Sequence, residues 1–203
     1  MAQRTQESIA STGHGDRDSK ERTRLLAVEI RSRKFGFAAF EGSERLLDWG
    51  VRWYVKTKSP LNAMVSSRIR SLLILHTPSI VVTRRRNHYS ANNRRIAQVI
   101  DLIRAESRRN SAKFVALTAR HVQSHFESHG LKTKNEIATG LSQRFDELSW
   151  KLPVHPDKSY QSEAPSLVIF DAAATGIAYL AGAARRNDDV LESSESAVSM
   201  ASH

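Results

Sequence analysis

The stretch "RLLAVEIRSRKFGFAAFEGSERLLDWGVRW", residues 24–53, decides the fold. Leu25, Leu26, Ala27, Val28 and Ile30 are apolar with Glu29 intruding, which reads as a short strand over Arg24–Ile30. Lys34–Glu41 places Phe35, Phe37 and Ala39 on one side, the alternation of a half-buried strand. Gly42-Ser43 supplies a turn, and Leu47, Trp49, Val51 and Trp53 then fall two apart as a third strand. Strands joined by such short turns form an antiparallel meander.

Downstream the period changes. Ser59-Pro60 opens a helix with a capping side chain and a proline at the first helical position, and Leu61, Met64, Val65, Arg68, Ile69, Leu72 and Leu73 follow at helical spacing. Pro78 ends that run. Ser79–Thr83 (SIVVT) reads as a short strand of buried type. After an arginine-rich loop, Ile96, Val99, Ile100 and Ile103 mark the face of a second helix, and Lys113–Thr118 (KFVALT) a fifth strand. Ala119–Ser128 and Asn135–Leu148 read as amphipathic helices, and Pro165–Ala184 as a long apolar segment. Antiparallel strands followed by strands that alternate with helices imply a mixed sheet covered on both faces.

Charge narrows the partner. The formal net charge is +10. The bases and acids of residues 1–23 cancel, and residues 187–203 carry −4, which leaves +14 on residues 24–186. Such an excess attracts polyanions, nucleic acid first among them, although a merely solubilising surface has the same composition. The ends read as disordered tails (1–23 and 187–203) around one domain at 24–186. No cysteine is present, which excludes disulfides, thiolate catalysis and cysteine-ligated zinc. The first residues hold no apolar run suited to a secretory signal, so a cytoplasmic location is expected. Asp171 lies within the apolar segment and argues against a bilayer span there.

Basic residues cluster at Arg84, Arg85 and Arg86, at Arg94 and Arg95, and at Arg104, Arg108 and Arg109, and Lys132 and Lys134 are further bases. His88 and Tyr89 lie among them, and aromatic rings between arginines can stack on bases. His121, His125 and His129 recur every four residues, a spacing that suits either a metal site or, with no acids in support, a polar helix face.

The order of elements, with "LLAVEI", "KFVALTARHVQSHFESHGLKTKNEIATGL" and "VIFDAAATGIAYLAGA", resembles the ribonuclease-H-like superfamily, and within it the RuvC-type Holliday junction resolvases. The resemblance covers roughly residues 24–184. It implies that Glu29 stands where the family's first strand carries a metal-binding acid, and that Asp171 matches one of two closing carboxylates. Together they would act as catalytic residues and ligands for Mg²⁺, or Mn²⁺ in its place. The family's fourth-strand glutamate is replaced by Thr83 or a neighbouring arginine, and the second closing acid by Ala174 or Val168. Arginines beside such a site would turn a metal centre into one that holds phosphate. Glu163 and Asp101 are further acids that nothing in the sequence places there.

Without the resemblance, Glu29 reads as an acid paired with a nearby arginine. Asp171 is either the N-cap of a helix that starts at Ala172 or, if the helix starts near Pro165, a carboxylate on its small-residue face. Two functions stay open: a Mg²⁺-dependent endonuclease acting on structured DNA, and a catalytically inactive module that binds nucleic acid or a protein. A homodimer is implied by the resemblance alone. An actin-like phosphotransferase would need glycine-rich phosphate loops, which are lacking.

Overall fold

In the computed structural model, residues 23–54, 60–85, 91–152 and 166–200 are described, with the side chains of 91–93 and 184–200 excepted. The meander is present as β1 (Arg24–Ile30), β2 (Lys34–Glu41) and β3 (Arg45–Trp53). Then come α1 (Leu61–His76), β4 (Ile80–Arg84), α2 (Ala91–Arg109), β5 (Lys113–Leu117), α3 (Ala119–Glu127), α4 (Lys134–Arg144), a 3-10 turn at Asp146–Lys151, and α5 (Leu167–Met200). The sheet order is β3-β2-β1-β4-β5. β1, β2 and β3 pair antiparallel, while β4 pairs parallel to β1 and β5 parallel to β4. The mixed five-stranded sheet flanked by helices is therefore as expected.

Strand alternation splits the core into two layers. Leu26, Val28, Ile30, Phe35, Phe37 and Val81 pack under α1 and α2. Leu25, Ala27, Ala38, Phe40 and Val82 pack under α5 with α3 and α4. β1 is central and roofed on both sides, so its residues from Leu25 to Ile30 are all buried. α5 lies so close to the sheet that a Cβ on Gly36 would meet the Val168 carbonyl oxygen at 2.3 Å, and one on Gly176 would meet the Phe40 ring at 2.7 Å. Bare glycine is what lets the helix backbone settle there. On the opposite face Arg70 reaches Glu106 through both nitrogen–oxygen pairs at 3.1 Å, tying α1 to α2.

Several boundaries differ from the expectations. α1 begins at Leu61 with Pro60 in the cap position and no side-chain cap bond, while Ser59 lies outside the described residues. It ends on Thr77 in the left-handed region, φ 42°, before Pro78 is reached. The helix expected over Asn135–Leu148 stops at Arg144, and Phe145 in an extended conformation separates it from the 3-10 segment. α5 runs on as helix through Met200, past the domain boundary expected at 186. No helix among the described residues is long and apolar enough to cross a membrane.

Candidate functional site

β1, β3, β4 and β5 all point their carboxyl ends at one edge of the sheet. α2, α3 and α5 begin at that edge, and α4 brings Lys134 to it. Helix N-termini carry partial positive charge and unpaired N–H groups, so the edge favours anions before any side chain is counted.

Glu29 pairs with Gly36 near the end of β1, and its side chain is 1% exposed. By alternation it points toward α5, as Leu25 and Ala27 do. Asp171 comes from α5. It lies inside the helix, and its carbonyl accepts the Thr175 hydroxyl at 2.8 Å, so the N-cap alternative is set aside. The acids are thus brought to one place, and arginines stand between them. The Arg84 Nη2 donates to Glu29 Oε1 at 2.5 Å and lies 4.0 Å from Asp171 Oδ2. Arg31 donates to Asp171 and places its Nη1 3.4 Å from Glu29 Oε1. Burial, then the Glu29 carboxylate, push the Asp171 pKa up, against the pull of Arg84, Lys134 and Arg31.

The sheet also shows which residue stands in the fourth-strand position. Val82 belongs to the α5 layer and Val81 to the α1 layer, so Thr83 turns toward α1 and Arg84 toward α5. It is Arg84, then, that shares a face with Glu29. Thr83 is fully buried, and its hydroxyl finds no hydrogen-bond partner among the described residues. Ala174, buried one turn beyond Asp171, offers no carboxylate.

Arg31 was not anticipated as a site residue. Its signal was available: it lies two residues beyond Glu29, and period-2 alternation puts it on the same face. The turn that carries it is held by Tyr54, whose N–H donates to the Arg33 carbonyl at 2.8 Å and whose hydroxyl donates to the Arg31 carbonyl.

The expected basic residues divide. Arg84, Lys134 and Asp171 line one cavity of about 80 Å³ with Gln123 and Ala119. Arg85 is exposed just past Arg84, and its N–H donates to the Leu117 carbonyl at 2.6 Å. Arg94 and Arg95 lie in the first turns of α2, exposed and half-buried. Lys132 precedes α4, where Thr133 and Glu136 form a capping box. Arg86, His88, Tyr89 and Glu163 lie outside the described residues. Trp53, 48% exposed, ends β3 at the same edge with the Lys34 ammonium 4.8 Å from its ring centre.

Two Mg²⁺ ions, each surrounded octahedrally by oxygen, are held in one site by about four acidic side chains, with water and phosphate filling the remaining positions. The centre supplies Glu29 and Asp171, both engaged by guanidinium groups, with Lys134 beside them. That donor set does not fit two divalent ions. No group of three acids or histidines that could hold a metal forms among the described residues, the His121, His125 and His129 series included. Instead His129 Nδ1 contacts the His125 carbonyl at 2.8 Å, and the two rings lie 4.9 Å apart. Asp101 is on α2 and pairs with Arg104 at 2.7 Å.

No protein-family model matches the chain, and no curated protein does. Solved structures do. RuvC of Thermus thermophilus superposes with a TM-score of 0.61 at 15% identity, over 81% of this chain and 97% of that one. The same organism's RuvC in complex with a Holliday junction substrate gives 0.57 at 15% identity, over 77% and 91%. The yeast mitochondrial Holliday junction resolvase Ydc2 gives 0.56 at 12% identity, over 78% and 79%. The fold is therefore ribonuclease-H-like, of the RuvC type.

Proposed function

We propose that this protein binds structured nucleic acid, DNA foremost, at the carboxyl edge of its sheet, as a binding module that performs no two-metal cleavage. One observation carries the reading: Arg84, in the place of an acid, shares a centre with Arg31, Lys134, Glu29 and Asp171 where the helices begin. Guanidinium groups grip phosphate oxygens in a fork and stay charged at every working pH. Arg85, Arg94, Arg95 and Lys132 extend the positive surface around that point, and the half-exposed Trp53 offers a face on which a base can stack. The likeness to a RuvC bound to a Holliday junction supports a four-way junction as the first substrate to try.

The test is binding of labelled four-way junction, duplex and single strand across a salt series. The junction should bind tightest, with affinity falling steeply as salt rises. Arg84→Ala combined with Arg85→Ala should weaken all three and flatten the log–log salt slope by roughly one to two units. Unchanged binding in that variant removes this edge from the interface.

A second reading has its own support, since Glu29 and Asp171 do converge: Mg²⁺- or Mn²⁺-dependent endonuclease activity on the same substrates. Cleavage that appears with either ion and disappears in Asp171→Asn would establish it. A homodimer would present two such edges to one junction, and sedimentation of the free protein tests that.

A further inference from the structure

Glu29 and Asp171 differ in how firmly they are held. Glu29 sits on the central strand, 1% exposed, with Arg84 at 2.5 Å and Arg31 at 3.4 Å. Asp171 is 13% exposed, lies on the helix, and faces the cavity that Lys134 and Gln123 also line. The arginines are 15% and 21% exposed and so remain open to an incoming anion. A divalent cation entering the same place would have to break both guanidinium pairs and then sit beside the displaced positive charges. A phosphate meets the opposite situation. Arg84 and Lys134 are cationic donors in the lining, and the acid of that lining, Asp171, is an anion much like the phosphate itself.

We infer that Arg31 and Arg84 have taken the place of the divalent ions, and that the centre is a metal-independent phosphate site. Asp171 is its resident anion, and an incoming phosphate displaces it. Glu29 is a fixed counter-charge that holds Arg84 at the cavity and Arg31 beside Asp171. This rests on the nucleic-acid reading for the identity of the natural anion, and the exclusion of metal stands without it.

The experiment has two arms on the free, full-length protein. In the first, Mn²⁺ is titrated and bound ion is counted by electron paramagnetic resonance. The wild type should leave Mn²⁺ free at millimolar concentration. Arg84→Glu, which adds a third acid beside Glu29 and Asp171, should bind the ion and melt at a higher temperature in its presence. If that variant does not fold, Arg84→Gln serves, with weaker ion binding expected. In the second arm, inorganic pyrophosphate is titrated by calorimetry. Asp171→Asn should tighten its binding roughly three- to tenfold. Stoichiometric Mn²⁺ on the wild type overturns the inference, and so does pyrophosphate binding that weakens in Asp171→Asn. Pyrophosphate bound and Mn²⁺ refused, with no affinity for any nucleic acid, would keep this site and sink the broader function.

Discussion

Tyr54 shows how much of the site depends on a residue that reaches it only through a backbone carbonyl. Its hydroxyl donates to the Arg31 carbonyl, and burial holds its pKa far above the ordinary tyrosine value, so the proton stays in place across the working range. Tyr54→Phe should cost about 1–2 kcal/mol by leaving that carbonyl unsatisfied, and should weaken pyrophosphate binding because Arg31 loses its brace. Melting and calorimetry on one sample read both effects. Asp171 makes a pH prediction. Its pKa is raised by burial first and by Glu29 second. A carboxyl raised in the folded state contributes stability in full below its ordinary value of 3.8, and that contribution is lost as pH rises through the raised value. Asp171→Asn should therefore melt above the wild type at neutral pH, and the gap should close in acid. Glu29 and Asp171 were legible in the sequence because a charge inside an apolar run stands out. Arg31 was not, because an arginine in a turn looks solvated until the strand's alternation is carried one residue past its end.

At the scale of elements, α5 positions the centre through its contact with the sheet. Gly36→Ala would drive a Cβ into the Val168 carbonyl, a backbone atom that cannot swing aside. The cost should be about 1–3 kcal/mol, with Asp171 moved off Arg31 as α5 lifts. A lower melting temperature together with a changed pyrophosphate affinity is the expected pair of results, and an unchanged protein would show that the helix has room. The strands were the most legible elements, since β1 to β3 have sharp period-2 patterns and short turns between them. Helix ends were less so. Nothing in the apolar pattern said whether α5 began before or after Asp171, because an acid serves equally as a cap or as a partner for a distant cation. That partner, Arg31, lies 140 residues away in sequence, beyond the reach of any local pattern.

Over the whole molecule, the excess of +14 on residues 24–186 is a long-range attraction, and the carboxyl edge gives it a focus. Composition pointed to a polyanion partner, and the order of elements made the fold legible. A pair between Glu29 and a nearby arginine was open from the sequence, but not that Asp171 would join the same arginines, since that depends on which face of β4 Arg84 takes. On the proposed reading, the broad charge brings nucleic acid to the surface and the centre selects where a phosphate rests. The most direct test is junction affinity measured in excess EDTA and again with Mg²⁺ at matched ionic strength. The account predicts equal affinity in both and an intact junction after prolonged incubation. Binding that requires Mg²⁺, or strands cut in its presence and lost with Asp171→Asn, would contradict it.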